Sequence, residues 1–246
     1  MRIALLADIH GNLQALEACI AAIQARGVDR TVFLGDLVGY GADSARVVEY
    51  VMSAVEQGAI AVRGNHDEAI DGEASYLNES ARAAVAHARH GLTALQRAFL
   101  KNLPLIARDK ECCYVHGSAD RPERYPYLDS ADAAKRCVSA ANMPITFCGH
   151  VHEQRLYFGT REQKMNLLVP TPGIPIPVPH HRKWVALVGS VGQPRDRNPA
   201  ASYAIYDSAR PALVFHRVPY DHRAAAQRIR EAGLPESLAF RVEQGV

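Results

Sequence analysis

The first third of the chain repeats one plan three times: a short apolar run that stops abruptly at polar residues and glycine. Residues 2–7 (RIALLA) run into Asp8-Ile9-His10-Gly11-Asn12, residues 31–35 (TVFLG) into Asp36, and residues 59–63 (AIAVR) into Gly64-Asn65-His66-Asp67. Short, near-continuous apolar runs suit strands covered on both faces. Between them, residues 13–26 and about 44–57 are alanine-rich with apolar residues at helical spacing. Strand and helix alternating at this pitch predict a largely parallel sheet with crossover helices.

The rest of the chain extends that plan. Residues 78–101 read as helical with a break at Gly91. Strands are expected at 111–115, 144–148, 154–158, 164–169, 184–189, 202–207 and 212–217, with 154–158 and 164–169 forming an antiparallel hairpin about Gly159-Thr160. Residues 222–232 read as a closing helix ended by Gly233 and Pro235. The proline-rich stretch from Pro170 to Pro179 reads as an extended surface loop. No sequence repeat and no linker of domain-boundary character stands out, so residues 1–246 are expected to form a single α/β (α+β) domain of two packed sheets with helices outside.

Charge and cysteine usage exclude several classes. The net charge is 28 − 26 = +2, too small to make a field for nucleic acid. The five cysteines (Cys19, Cys112, Cys113, Cys137, Cys148) form no C-x-x-C pair, so neither a disulfide framework nor a zinc finger is indicated. They read as small core residues in a reducing compartment. The first apolar run is broken by Asp8, and the longest uncharged stretch, residues 165–179, carries five prolines. Neither a leader peptide nor a membrane span is expected, and the chain reads as cytoplasmic.

Open α/β sheets bind ligands beyond the carboxyl ends of their strands. Here those ends carry Asp8 and His10, then Asp36, then Asn65, His66 and Asp67. Asp8 and His10 are two apart, so extended backbone turns both to one side. Gly149-His150-Val151-His152 repeats that spacing past a later strand, and His116-Gly117 ends the strand at 111–115. Carboxylate, amide and imidazole donors suit Mn, Fe or Zn dications. A lone D-x-H or G-D says little. The ordered set D-x-H, G-D, G-N-H-D, H-G, G-H-x-H, each at a strand end, says much more. His87 and His90, by contrast, fall on a helix and read as solvated or satisfied.

This ordered set resembles the calcineurin-like metallophosphoesterase superfamily. The wording of Ala7 to Asn12, Gly35 to Gly41 and Arg63 to Glu68, with His116-Gly117-Ser118 and Gly189 to Arg195, is similar to its small bacterial and archaeal phosphodiesterases, some of them diadenosine-tetraphosphatase-like. The resemblance implies a four-layer αββα sandwich and two metal ions bridged by Asp36, with Mn foremost and Fe, Zn, Ni or Co as alternatives. Asp8, His10 and His152 would complete one metal position, and Asn65, His116 and His150 the other. His66 would stand beside the substrate as general acid. In the related protein phosphatases an aspartate three positions after the bridging one orients that histidine and an arginine follows it; here those positions are Gly39 and Tyr40.

The implied activity is hydrolysis of a small phosphodiester or nucleotide polyphosphate by metal-activated water, with phosphoprotein a poor substrate. Dinucleoside polyphosphates are among the expected substrates. Tyr40 is a candidate for the pocket wall. Cationic candidates for phosphate contact are Arg121 with Arg124, His181 within the His180 to Lys183 group, and Arg195. The alternatives are a regulatory module that keeps the metal site without turnover, and a phosphomonoesterase or protein phosphatase.

Overall fold

A computed structural model describes residues 1–159 and 164–246 of the chain. In chain order the elements are β1 (Arg2–Leu6), α1 (Leu13–Gln24), β2 (Arg30–Phe33), α2 (Ser44–Glu56), β3 (Ile60–Ala61), α3 (Asn65–Glu68), α4 (Glu79–Gly91), α5 (Ala94–Asn102), β4 (Ile106–Asp109) and β5 (Cys112–Val115). After a 3-10 turn at Pro122–Arg124 come α6 (Ala131–Ala141), β6 (Ile145–Cys148), β7 (Gln154–Gly159), β8 (Asn166–Leu168), β9 (Ile176–Pro177), β10 (Lys183–Val188), β11 (Ala201–Asp207), β12 (Ala212–Val218), α7 (His222–Glu231) and α8 (Glu236–Gln244).

Among the described residues the strands form two six-stranded mixed sheets, in the orders β3-β2-β1-β11-β12-β9 and β4-β5-β6-β10-β7-β8. Strands β1, β2 and β3 run parallel in the first sheet, and β5, β6 and β10 in the second. Alternation along each strand builds the layers. Ile3 and Leu5 of β1 enter the core between the sheets with Tyr114, Phe147, Trp184 and Phe215. Ala4 and Leu6 face the opposite way, toward α1, α2 and the carboxyl-terminal helices. Cys113, Val115, Val185 and Leu187 form a third cluster under α6. These strands are therefore buried on both faces, as their unbroken apolar runs require. The result is the αββα sandwich.

The helical segment breaks where expected. α4 ends at Gly91, and Thr93 starts α5 by accepting the N–H of Gln96 at 3.2 Å. The proline-rich stretch is not extended throughout: it turns at Pro172–Gly173, where the Ile174 N–H donates to the Thr171 carbonyl at 3.3 Å, contributes the short edge strand β9, and buries Val178. Strands β7 and β8 pair antiparallel, while the turn expected at Gly159-Thr160 runs into residues 160–163, outside the described residues. Helices α6 and α8 and strand β4 have no counterpart in the sequence reading. α6 had a local signal: Ser130 caps it by accepting the Ala133 N–H at 3.2 Å.

Register brings the chemistry to one edge. Leu6 of β1 lies opposite Phe33 of β2, and Phe33 opposite Ala61 of β3. The next residues along these three strands lead to Asp8, Asp36 and Asn65. Tyr114 opposite Phe147 does the same for His116 and His150 in the second sheet. The loops are stitched together: Asp8 N–H donates to the Gly35 carbonyl at 3.0 Å, and His10 N–H to the Asp36 carbonyl at 3.0 Å.

Candidate metal centre

Seven side chains converge where the two sheets' parallel strands end: Asp8, His10, Asp36, Asn65, His116, His150 and His152, each no more than 7% exposed. Five of them, Asp8, His10, Asp36, His150 and His152, hold φ between 50° and 69°. That left-handed backbone costs roughly 1–3 kcal/mol per residue and persists only where the surroundings over-determine it. Here they do. Both Asp8 carboxylate oxygens accept the His150 N–H, at 3.1 and 2.9 Å, and Ser190 Oγ donates to the Asp8 carbonyl at 2.8 Å. The first contact joins one sheet to the other.

Asp67 holds the middle of the site. Its carboxylate accepts the backbone N–H groups of Asp36, Leu37 and Gly64 at 2.9 Å and of Val38 at 3.3 Å. It therefore fastens the loop after β2 to the loop after β3 and does not orient His66. The His66 Nδ1 atom is buried and has no hydrogen-bond partner among the described residues. It faces Gly39, where a Cβ would come within 2.5 Å of it, and the Gly39 φ of +89° suits only glycine. Packing takes the place of the missing carboxylate: the His66 ring sits 4.8 Å from the His10 ring and 4.6 Å from the Tyr40 ring. At Gly64 a side chain would overlap the Asp36 carboxylate, so the close approach of these two loops also demands glycine.

Three imidazoles have their tautomer set by backbone carbonyls, which only accept. Nδ1 of His10 donates to Val38 at 3.0 Å, of His116 to Leu34 at 2.8 Å, and of His152 to Gln193 at 2.7 Å. Each Nε2 then faces inward, the arrangement that holds a metal-binding histidine in place. His10 Nε2 and His152 Nε2 face each other at 3.2 Å, with Asp8 Oδ1 at 3.3 Å from the latter. His116 Nε2 lies 3.1 Å from His150 Nδ1 and 3.2 Å from Asn65 Oδ1. Lone pairs this close repel one another unless a proton or a cation lies among them. The donor set therefore fits metal binding, and among the described residues three groups could hold an ion: Asp8-His10-His152, His10-Asp36-His66 and Asp36-His116-His150.

Electrostatics agree with that fit. Burial acts to raise the Asp36 carboxyl, but the rings of His116, His66 and His10 outweigh it and hold it well below the usual range. Burial opposes charge on His116 too, yet Asp36, 3.3 Å away, lifts it to about 9. His10 is pushed well below its ordinary value by burial, and His150 down to about 3 by burial and the neighbouring His116. His116 is thus the ring that favours positive charge beside Asp36, while burial disfavours charge on His10, His66 and His150.

The centre opens into a cavity of about 660 Å³ whose wall includes His66, Tyr40, Arg195 and Arg124. Arg195 Nη2 lies 3.3 Å from Gln193 Oε1 and 3.5 Å from the Tyr40 hydroxyl. Two of the expected phosphate contacts are not brought here. Arg121 lines a separate surface groove with Asp120, Lys135 and Arg136. His181 is exposed and precedes β10, which runs parallel to β6, so the whole His180 to Lys183 group lies at the opposite edge from the metal centre. His180 there pairs with Glu111 at 3.0 Å. His87 Nε2 meets the Ala42 carbonyl at 3.2 Å and His90 is exposed, so neither joins the site. The sequence reading missed Glu68, Tyr76, Tyr125 and Tyr127, which also line the cavity. Nothing in their spacing marks them, because they come from the end of α3 and from two loops that only the fold brings together.

An αββα sandwich with paired carboxylate and imidazole donors at the strand ends defines a class, and comparison with known proteins agrees. Residues 1–210 match the calcineurin-like phosphoesterase superfamily domain. A metallophosphoesterase crystal structure from Sphaerobacter thermophilus is 36% identical, covers 100% of this chain and 99% of its own, and superposes with a TM-score of 0.88. An uncharacterised protein from Methanocaldococcus jannaschii is 33% identical over 99% of this chain and 98% of its own length. The structure of a hypothetical protein from Pyrococcus horikoshii shares the fold, with a TM-score of 0.78 at 20% identity over 100% of this chain and 98% of its own. The chain belongs to the calcineurin-like phosphoesterase superfamily, a family of hydrolases. Among the described residues no helix is long and apolar enough to cross a membrane.

Proposed function

We propose that the protein is a dinuclear metal-dependent phosphohydrolase that cleaves small phosphodiesters or nucleotide polyphosphates. The observation that carries this reading is the position of Asp36. Its Oδ2 lies 3.6 Å from His10 Nε2 and 3.3 Å from His116 Nε2, between the two donor groups. A carboxylate so placed would serve two metal positions, the first with Asp8, His10 and His152, the second with Asn65, His116 and His150. Bound transition-metal ions, Mn first among Mn, Fe, Zn, Ni and Co, would activate water and neutralise the phosphoryl oxygens.

The remaining work falls to the chain. Arg195, backed by Tyr40 and Gln193, and Arg124 at the mouth offer guanidinium forks to phosphate oxygens. His66 lies beside Asp36 and Tyr40 on the cavity wall, in place to give a proton to the departing oxygen. Burial lowers the proton affinity of His66, and an anionic phosphate entering beside it acts in the opposite direction. Gly39 and Tyr40, in place of an aspartate and an arginine, speak against a protein-phosphatase site.

The test is a substrate panel at fixed Mn. Diadenosine tetraphosphate or a bis-aryl phosphodiester should exceed an aryl monophosphate and a phosphopeptide in kcat/KM. A lead of tenfold or more for either of the latter, about 1.4 kcal/mol of transition-state preference, would sink the reading.

A further inference from the structure

Single exposed apolar side chains need no explanation. Two exposed tyrosines on the wall of one cavity do. Tyr127 is 53% exposed, and its ring is stacked on that of His150 with centroids 4.1 Å apart and planes 24° apart. One face is covered by a candidate metal ligand, which leaves the other face open. Tyr76 is 59% exposed and is held at its far end, where its hydroxyl donates to the Asn65 carbonyl at 2.9 Å. The two belong to different loops, one between α3 and α4 and one before α6. The hydroxyl of Tyr125, two residues before Tyr127, donates at 2.7 Å to Glu68 Oε2 at the end of α3, where the Tyr76 loop begins, and Tyr76 itself is anchored to Asn65 of the same helix. Both aromatic faces are therefore fixed relative to the metal centre.

The cavity is also larger than the chemistry needs. Its volume of about 660 Å³ falls in the range of roughly 300–1,000 Å³ that encloses drug-sized organic ligands. A phosphate group fills only a fraction of that. Tyr127 borders His150 directly, so a planar group resting on its open face would lie one ring away from the donor cluster.

We infer that Tyr127 and Tyr76 select the organic part of the substrate by stacking on a planar aromatic group, a nucleobase above all, carried by the phosphate substituent that is not the leaving group. The inference rests on the phosphohydrolase reading and deepens it. Stacking needs only a π-face, so it favours aromatic over alkyl esters while discriminating little between bases. Tyr127 and Tyr76 are specificity-determining residues in this account and take no part in bond making.

Two esters with the same leaving group separate this role from the chemistry: thymidine 5′-(4-nitrophenyl phosphate) and methyl 4-nitrophenyl phosphate, with the Mn-loaded protein. The wild-type kcat/KM ratio should favour the nucleoside ester by about tenfold or more. Tyr127→Leu should cut that ratio by about tenfold, mainly through KM, and Tyr127→Phe should restore it. Tyr76→Leu should lower the ratio in the same direction. Tyr50→Leu, at an exposed tyrosine outside the cavity, should leave it unchanged. An unchanged ratio in Tyr127→Leu, or equal losses on both esters, overturns the inference. If wild type hydrolyses neither ester, the phosphohydrolase reading fails, and calorimetry decides the stacking role by itself. Adenosine 5′-monophosphate should bind about tenfold more tightly than ribose 5-phosphate in wild type, and Tyr127→Leu should remove the difference. Equal affinities in wild type overturn it.

Discussion

Asp36 is the side chain on which the centre turns, because one of its oxygens faces imidazoles of both donor groups. Asp36→Asn replaces the shared anion with a neutral amide and should lower metal occupancy at both positions. Bound metal per chain, measured by elemental analysis after gel filtration, is expected to fall from about two to below one; retention of two would remove the bridging role. His66 makes the opposite prediction. His66→Ala should retain its metals and lose turnover, by about 10²–10⁴-fold on a diester with a poor leaving group and by less on a nitrophenyl ester. Equal losses on both would make His66 a phosphate-positioning residue. The sequence singled out both residues but could not show what holds His66. The answer is a contact, not a motif: Gly39 lets the ring approach, and Asp67, the adjacent carboxylate, is fully used on backbone N–H groups.

At the scale of elements, β12 carries a titratable group that no motif reveals. His216 lies opposite Tyr203 of β11, their rings stacked 4.9 Å apart, and burial pushes the imidazole down to about 4. The unfolded chain titrates near 6.5, so between these values it binds a proton that the folded chain refuses. Stability therefore falls as the pH drops from about 6.5 toward 4, by about 1–2 kcal/mol from this residue once its partial exposure is discounted. His216→Phe keeps the stack and should flatten that part of the urea-unfolding profile relative to wild type. An identical slope in both proteins would show that the ring is as free to protonate in the folded strand as outside it. The strands of the metal edge were legible because both faces of each are buried, which writes an unbroken apolar run. Helices α6 and α8 were not read, although each has an apolar face, Ala133, Ala134, Cys137, Val138 and Ala141 in the first and Leu238, Ala239 and Val242 in the second.

For the whole molecule, three apolar clusters account for the fold without help from the metal edge. Stripping the metals should leave secondary structure intact while lowering the melting temperature. Restoring Mn to about 100 times its Kd should return about 2.7 kcal/mol, because the ions bind only the folded arrangement. Circular dichroism and thermal unfolding with and without chelator check both halves, and a melting temperature indifferent to Mn counts against the site. The sequence by itself determined the parallel strand-helix plan and the metal-edge donors, because each donor directly follows an apolar run and strand direction carries it to the edge. Only the tertiary structure decided what surrounds them. Arg195 and Arg124 reach the cavity while Arg121 and His181 do not, and Tyr76 and Tyr127 come to one wall from distant loops. Local spacing specifies the direction in which a side chain leaves its strand. Which sheet edge a loop lies on, and what it meets there, depends on pairings between residues far apart in the chain.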